Sequence, residues 1–302
     1  MSQPTPALAA VLAATEVVPA DWYDLATILQ RFGGPSTLLD RRLVNSDRDA
    51  DLLQYLRRSI DPVRVSHWLK QLEQLATSMP DVNLVTADSA EYPANLKEAY
   101  GRPPFLFIRG SVNDSDTLSL AIVGNRKASQ EGLSAANRVA AAAAKHGITV
   151  VSGLARGIDA AGHLGAFNAG GRTIAAIAAG IDQPVSRESD PALSAIMPKY
   201  GSIVSQFRPG SPPTSSSFLQ RNGVISGLSL VSLAIEAGER SGTRNEVEHA
   251  LRQGRKVLFW RPLPDAQAWI KVYVREPLVR VVSTEAEVVD EVLAAARDRV
   301  NE

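Results

Sequence analysis

The sequence alternates short β-rich runs with segments of helical periodicity, and this alternation constrains the fold more than any other feature. Strands that alternate with helices form βαβ units around a mostly parallel sheet. The helical segments are 130–145, 158–169, 190–199 and 243–253. The β-rich runs are LSLAIVG (118–124), ITVVSG (148–153), TIAAIAAG (173–180), SIVSQF (202–207), LVSLAIE (230–236) and KVLFW (256–260). The pattern predicts a doubly wound α/β domain.

Smaller parts flank this core. Residues 1–80 show helical periodicity without strand alternation, which predicts an N-terminal helical domain of four or five short helices. The β pattern begins near residue 81 with VNLVTA and PFLFIRG, and the end of the chain predicts an amphipathic helix. We therefore divide the chain into a helical domain (1–80), an α/β domain (81–283) and a C-terminal helix (284–302).

Composition excludes several classes of site. The 302 residues include no cysteine and four histidines, so disulfides, thiolate catalysis and cysteine metal sites are excluded. Neither HxxxH nor HExxH occurs, and we expect no metal and no cofactor. No apolar run approaches the roughly 18 residues of a membrane span, and the first residues lack a basic region. We expect a cytoplasmic protein.

Charge is unevenly distributed along a chain whose formal net charge is zero. Residues 101–276 contain 20 Lys and Arg against 13 Asp and Glu, and the rest of the chain contains 12 against 19. Only seven of the 32 basic residues are lysines, and the planar guanidinium of arginine suits phosphate. The distribution predicts an anion-binding core between acidic flanks.

Ligands of open α/β sheets bind beyond the carboxyl ends of the strands, so the turns that leave the β-rich runs are the candidate site. The first turn contributes Gly124, Arg126, Lys127 and Ser129. Its glycine, its two cations and a serine at the start of the next helix favour a phosphate. The alternative is an ordinary turn with a solvated Arg-Lys pair.

The second turn again combines glycines, a serine and an arginine before a helix. It contributes Ser152, Gly153, Arg156 and Gly157. Its spacing is not GxGxxG, which disfavours NAD. His163 follows Asp159 by four residues, a spacing that permits a contact between them, and we interpret this histidine as structural.

Two further segments complete the predicted site. Arg221 and Asn222 stand where a loop rich in proline and serine (208–217) meets a short helix, and we place them at the ligand; alternatively Asn222 caps that helix and Arg221 is solvated. Ser241, Gly242 and Thr243 begin the next helix. Glu246 either forms a capping box with Thr243 or faces a ligand, and both interpretations stay open.

We expect Arg126, Arg156 and Arg221 to converge on one pocket. Phe207 and Phe218 are the aromatic residues best placed beside it, and Arg138 is expected to be solvated.

Six segments of the sequence, in this order, resemble the DNA-processing protein A (DprA/Smf) family. They are AEYPANLKEAYGRPPFLFIRG, AIVGNRKAS, VVSGLARGIDAAGH, GGRTIAAIAAGID, FLQRNGVISGLS and IEAGERSGT. The resemblance covers roughly residues 20–275. It implies an extended Rossmann-like fold, dimerisation, binding of single-stranded DNA and transfer of that DNA to the RecA recombinase during natural transformation. It implies no catalytic reaction.

The chain departs from the family pattern at three positions. Asn125 stands where the pattern reads serine, Gln206 where it reads glutamate, and Gly223 where it reads arginine. The missing arginine at 223 removes an expected phosphate contact. The end of the chain leaves no room for a winged-helix tail, so we expect no duplex binding through one.

A rival function comes from the wider superfamily. Gly242-Thr243-x-x-Glu246 is similar to the GTxxE segment of LOG-type nucleoside-monophosphate phosphoribohydrolases, whose glutamate serves in cleavage of the N-glycosidic bond. The proline-glycine-glycine motif that precedes this segment in those enzymes is absent here. We therefore rank DNA binding above nucleotide sensing, hydrolysis below both, and an NAD-type dehydrogenase last.

Overall fold

Nine strands of the computed structural model form one sheet, and the structure describes residues 3–18, 22–40, 42, 47–184, 191–238, 241–261 and 268–300. The strands are β1 (Val82–Thr86), β2 (Phe105–Gly110), β3 (Ser119–Gly124), β4 (Thr149–Ser152), β5 (Thr173–Ala176), β6 (Gly201–Ser205), β7 (Val231–Glu236), β8 (Lys256–Trp260) and β9 (Val279–Val282). The first eight confirm the predicted runs. Strand β9 was not predicted.

The order of strands across the sheet is β1-β2-β6-β5-β4-β3-β7-β8-β9. The pairs β1–β2 and β2–β6 are antiparallel, and the others are parallel. From β3 the chain builds outward through β4, β5 and β6, and then crosses to β7 on the other side of β3. This reversal separates the loops that leave β3 and β7, and it creates the crevice in which doubly wound sheets bind ligands.

Twelve α-helices of the described residues surround this sheet. They are α1 (Pro6–Val17), α2 (Trp22–Phe32), α3 (Arg48–Ser59), α4 (Pro62–Ser78), α5 (Ala94–Glu98), α6 (Gln130–Lys145), α7 (Ile158–Asn168), α8 (Pro191–Tyr200), α9 (Ser215–Leu228), α10 (Gly242–Arg252), α11 (Ile270–Tyr273) and α12 (Glu285–Val300). Short 3-10 helices cover Pro35–Leu38 and Asp114–Thr117. In the part of the chain that the structure describes, none of these helices is long and apolar enough to cross a membrane.

Helix α9 begins earlier than the sequence suggested. Thr214 is its N-cap: the Thr214 hydroxyl accepts from the Ser217 amide, and the Ser217 side chain closes a capping box. The last serines of the predicted loop therefore belong to the helix. Arg221 and Asn222 lie in its middle rather than at its start, so the alternative in which Asn222 caps the helix is wrong.

Apolar residues on both faces of the sheet hold these layers together. Leu120, Ile122 and Val139 belong to one cluster, in which α6, α7 and α12 cover the central strands. The N-terminal helices pack on the sheet as well, because Leu12 and Leu72 share a cluster with Phe105. The helices of residues 6–78 and the sheet thus share buried apolar surface.

Helices α6 and α7 pack closely because small residues face each other. A Cβ on Gly165 of α7 would overlap the carbonyl oxygen of Asn137 and lie 3.0 Å from the Cβ of Ala140. A Cβ on Gly162, one turn earlier, would lie 3.4 Å from its nearest neighbour on Ile122, which is an ordinary contact distance.

These two glycines give a matched stability prediction. We expect Gly165→Ala to lower the free energy of unfolding by about 1–3 kcal/mol, because the added methyl overpacks the α6–α7 interface. Gly162→Ala is expected to be neutral or stabilising by up to about 1 kcal/mol, because alanine is the better helix former. Urea unfolding of both variants checks this. Equal effects of the two substitutions would contradict the packing account.

Candidate functional site

A cleft of about 320 Å³ opens between the carboxyl ends of β3 and β7, and we call it the switch-point cleft. Its walls come from the end of β3, the turn after β4, helix α9 and the start of α10. The residues that line it are Val123, Gly124, Asn125, Arg126, Ala155, Asp159, Phe218, Leu219, Arg221, Asn222, Ile225, Ser241, Gly242, Thr243 and Glu246.

The cleft brings together seven of the thirteen residues that the sequence predicted for the site. They are Gly124, Arg126, Arg221, Asn222, Ser241, Gly242 and Thr243. The other six lie outside its lining: Lys127, Ser129, Ser152, Gly153, Arg156 and Gly157. Arg126 and Arg221 thus share a pocket as expected, whereas Arg156 is an exposed neighbour of it.

The carboxylate of Glu236, at the end of β7, occupies the start of helix α6. It accepts hydrogen bonds from the Ser129 amide at 3.1 Å and from the Ser129 hydroxyl at 2.7 Å. The Asn125 amide group also donates to it at 3.3 Å. The helix N-terminus at which we expected a phosphate therefore already holds an internal anion, and Asn125 is a bridge between the β3 and β7 turns.

The glycines of the second turn make room for protein groups rather than for a ligand. A Cβ on Gly153 would overlap the Arg221 guanidinium, and one on Gly157, whose φ is +84°, would overlap the Asn125 carbonyl oxygen. The Gly153 amide donates to the Asp159 carboxylate at 3.1 Å. The Ser152 hydroxyl donates to the Ile122 carbonyl at 2.6 Å.

Arg221 lies at the base of the cleft, not in solvent. Its side chain is 5% exposed, and its Nη1 donates to the carbonyl oxygen of Ala176 at 3.2 Å. Burial lowers the pKa of Arg221, while the charges of Asp159 and Glu246 act in the opposite direction. Arginine stays protonated under these conditions because its ordinary pKa is above 12. The structure therefore places a fixed cation at the base of the cleft.

Glu246 is a buried acid and not a capping residue. The N-cap of α10 is Ser241, whose hydroxyl accepts from the Thr243 amide at 3.2 Å, so the proposed Thr243–Glu246 capping box is wrong. Glu246 is 1% exposed; its Oε1 accepts from the Ser232 hydroxyl at 3.0 Å, and its Oε2 has no partner. Burial raises the pKa of Glu246 to about 8.

Asp159 is the second carboxyl group at this cleft, and burial also raises its pKa, while Arg221 acts against that shift. In the sequence, Asp159 was distinguished only by its spacing from His163. That histidine is fully buried, and its Nδ1 pairs with the Thr173 hydroxyl at 2.6 Å. Burial lowers the pKa of His163 to about 3, so it is a neutral structural residue, as predicted.

An aromatic ring at the cleft lies close to two cations. The guanidinium carbons of Arg126 and Arg221 lie 4.9 Å and 5.9 Å from the centroid of the Phe218 ring. Phe207, the other aromatic residue that we expected near the site, is only 6% exposed and lies outside the lining. Asn222 joins α9 to α10 by donating to the Gly242 carbonyl at 3.2 Å.

Two remaining expectations concern metals and Arg138. Among the described residues, no group of histidine, aspartate and glutamate side chains is arranged to hold a metal ion. Arg138 is not freely solvated, because its Nε donates to Glu285 at 2.6 Å and ties α6 to α12.

Comparisons with known proteins agree on one family. The family model described as DNA recombination-mediator protein A matches residues 83–292. The chain is 34% identical over 205 residues to protein Smf of Escherichia coli, an alignment that covers 68% of this chain and 52% of that protein. It is 32% identical over 207 residues to DNA processing protein DprA of Bacillus subtilis, covering 65% of this chain and 69% of that protein. The chain thus spans about half the length of the Escherichia coli relative.

Solved structures show the same fold. The X-ray structure of DNA processing protein A from Streptococcus pneumoniae superposes with a TM-score of 0.71 at 24% identity, covering 93% of this chain and 96% of that one. DNA processing protein A from Helicobacter pylori, described for its single-stranded DNA binding mode, superposes with a TM-score of 0.62 at 20% identity. That alignment covers 70% of this chain and 96% of the other.

The raised pKa of Glu246 predicts how stability depends on pH. The folded state holds the proton to about pH 8, whereas an unfolded glutamate releases it near pH 4.5. Its contribution to stability is therefore complete below about pH 4.5 and is lost as pH rises to about 8. We expect Glu246→Gln to match the wild type near pH 4.5 and to exceed it by on the order of 2–4 kcal/mol at pH 9. Urea unfolding across this range checks it, and parallel curves would contradict the assignment.

Proposed function

The chain belongs to the DNA recombination-mediator protein A family, and from this premise we propose that it binds single-stranded DNA at the switch-point cleft. The observation that carries the proposal is the Phe218 ring with the guanidinium groups of Arg126 and Arg221 at 4.9 Å and 5.9 Å from its centroid. Proteins that bind single strands combine cations for the backbone with aromatic rings for the bases. The Helicobacter pylori relative, which has the same fold, is described as a binder of single-stranded DNA.

The protonation of the cleft suits a polyanion. Glu246 is largely protonated at neutral pH, because its pKa is about 8. A neutral carboxyl group can donate a hydrogen bond to phosphate, whereas a carboxylate at the same place would repel it. The Ser241 and Thr243 hydroxyl groups line the cleft on the α10 side. The site residues that lie outside the lining, Lys127, Ser129, Ser152, Gly153, Arg156 and Gly157, remain proposed as its surroundings.

We further propose which residues carry the DNA, how the chain assembles and which partner receives the strand. Residues 81–283 carry the DNA, flanked by the helical domain and the final helix, and the chain acts as a homodimer in the cytoplasm that passes the strand to a recombinase of the RecA type. The family's description as a recombination mediator supports this transfer. Sedimentation of the free protein tests the dimer, and recombinase assembly on a pre-coated strand tests the transfer.

The proposed binding of DNA predicts which arginine substitutions weaken it. We expect Arg126→Ala and Arg156→Ala each to weaken binding of oligo-dT by about 1–3 kcal/mol, the scale of a lost charged hydrogen bond. The control is Arg280→Ala, because Arg280 is an exposed arginine of β9 that donates to backbone carbonyls of its own strand region. Fluorescence anisotropy at two salt concentrations is the measurement. The logarithmic salt slope should be about −0.7 per contacted phosphate.

Three results would contradict this proposal: salt-independent binding, preference for matched duplex, or arginine variants that bind like Arg280→Ala. Arg221→Ala is unsuited to the test. Its removal leaves Asp159 buried without its cation, so it should also lower the free energy of unfolding.

A second candidate function rests on Glu246. Its Oε2 has no hydrogen-bond partner, it lines the cleft near Arg221, and its pKa is about 8. A carboxylic acid with a pKa near neutrality suits general acid–base catalysis, and cleavage of a nucleoside monophosphate would place phosphate on the arginines. Binding without turnover would be nucleotide sensing. We rank both below DNA binding.

Glu246→Gln separates catalysis from binding. We expect no release of free base from a panel of nucleoside monophosphates by the wild type or by the variant, while both bind oligo-dT. If the wild type releases base and the variant loses that activity by roughly 10²–10⁴-fold, the hydrolase function replaces the DNA-binding one. Chromatographic assay of free base is the measurement.

A further inference from the structure

A second cleft, of about 280 Å³, lies beside helices α9 and α10 and has no role in the site described above. We call it the glutamine cleft, because Gln206, Gln220 and Gln253 line it. Trp22 of α2 and Tyr100 of the segment before β2 form its aromatic side. It therefore joins the N-terminal helices to the α/β core.

The chemistry of this lining is specific. It combines two aromatic rings, three carboxamides, the imidazole of His249 and the guanidinium of Arg252. No carboxylate lines the cleft within the described ranges. Flat apolar faces beside carboxamide donors and acceptors suit a flat heteroaromatic ring with a polar edge. A described lining without a carboxylate suits a ligand that carries phosphate.

The aromatic side of the cleft is held in place. Tyr100 is 54% exposed, yet its ring packs 5.0 Å from that of Tyr23, over which the guanidinium of Arg102 lies at 4.6 Å. Gln253 donates from its Nε2 to the carbonyl oxygens of Tyr100 at 3.1 Å and Gly223 at 2.9 Å. An exposed ring is thus fixed at the rim, which reduces the entropy that a ligand must overcome.

Two of the unusual residues of this sequence meet in this cleft. Gln206 is only 8% exposed and lines the cleft. In the same lining, the Oε1 atom of Gln253 is buried and has no hydrogen-bond partner. A buried polar atom without a partner is costly, and a ligand group would satisfy it. Gly223 lets His249 approach closely, because a Cβ there would lie 3.2 Å from His249 Nδ1, which is tighter than an ordinary contact.

We propose that the glutamine cleft receives an unstacked nucleobase of the same DNA strand, an inference that rests on the proposed function. Tyr100 and Trp22 stack on the ring, and Gln206 reads its polar edge. Carboxamides pair with base edges in this way, and single-strand binders stack bases on aromatic side chains. Arg252, which is exposed, meets the adjoining phosphate.

The position of the two clefts allows one strand to reach both. Helix α9 contributes Arg221 to the switch-point cleft and Gly223 to the glutamine cleft. Helix α10 contributes Glu246 to the first, and its C-cap residue Gln253 lines the second. Seven residues of helix span about 10 Å, which corresponds to roughly three stacked nucleotides.

The test compares oligo-dT with a strand of abasic sites of the same length by fluorescence anisotropy. We expect Tyr100→Ala and Gln206→Leu to weaken oligo-dT binding, Tyr100→Ala by roughly 5- to 150-fold, and to leave abasic binding unchanged. The control is Tyr55→Ala, since Tyr55 is 47% exposed and lies on α3 outside both clefts. Thermal unfolding verifies that each variant is folded.

Gly223→Arg should change the affinity for oligo-dT and the affinity for the abasic strand in different directions. The added cation should hold or raise affinity for the abasic strand, while its side chain fills the cleft and reduces the preference for oligo-dT. If the wild type binds oligo-dT and all three cleft variants keep its preference for bases, the base site is overturned and the proposed function stands. If the wild type binds neither strand, both fail.

Discussion

The buried guanidinium of Arg221 is the interaction on which the switch-point cleft depends. It crosses from α9 to the end of β5, where it donates to the Ala176 carbonyl, and it lies against a backbone position that only Gly153 leaves open. Burying a charge costs several kcal/mol unless opposite charges and hydrogen bonds compensate it. Asp159 supplies the opposite charge, and the Ala176 carbonyl accepts a hydrogen bond. Arg221 therefore links the β4 turn to α9 and α10, and Asn222 adds a second link between these two helices.

This arrangement also sets the protonation of the cleft. Two carboxyl groups share one buried cation, and burial raises the pKa of both Asp159 and Glu246. Asp159 is additionally fixed by the Gly153 amide, whereas one oxygen of Glu246 has no partner. The residues that stabilise the cleft are thus the ones at which we propose that an anion binds. Stability and binding are coupled through the same groups.

The wall of the switch-point cleft on the β3 side limits where an anion could bind. Glu236 saturates the start of α6 through Ser129 and holds Asn125, so negative charge is already present on the β3 side. Positive charge at the cleft comes from Arg126 and Arg221, both of which lie close to the Phe218 ring. The proposed path of a phosphate chain therefore follows α9 and the start of α10. The glutamine cleft continues along the same two helices.

The sequence by itself determined the order and type of the elements. Burial periodicity is local, so the eight strand runs and the helices between them could be predicted from neighbouring residues, and Ser129 does cap α6 as its position suggested. Strand β9 was not predicted because Val279–Val282 is only four residues long and lies at the edge of the sheet. The carboxyl ends of the strands correctly indicated the cleft, since parallel strands bring their ends to one edge.

Only the tertiary structure decided which groups face each other. Thr243 and Glu246 have capping-box spacing, but α10 packs on β7 and turns Glu246 toward Ser232. Glu236 reaches Ser129 across 107 residues, and Arg221 reaches Ala176 across 45. Helix α9 buries residues around much of its circumference, so no periodicity marked the side on which Arg221 lies. The local spacing of residues determines the backbone conformation of each element. The partner of a buried charge depends instead on strand order, which no local pattern encodes.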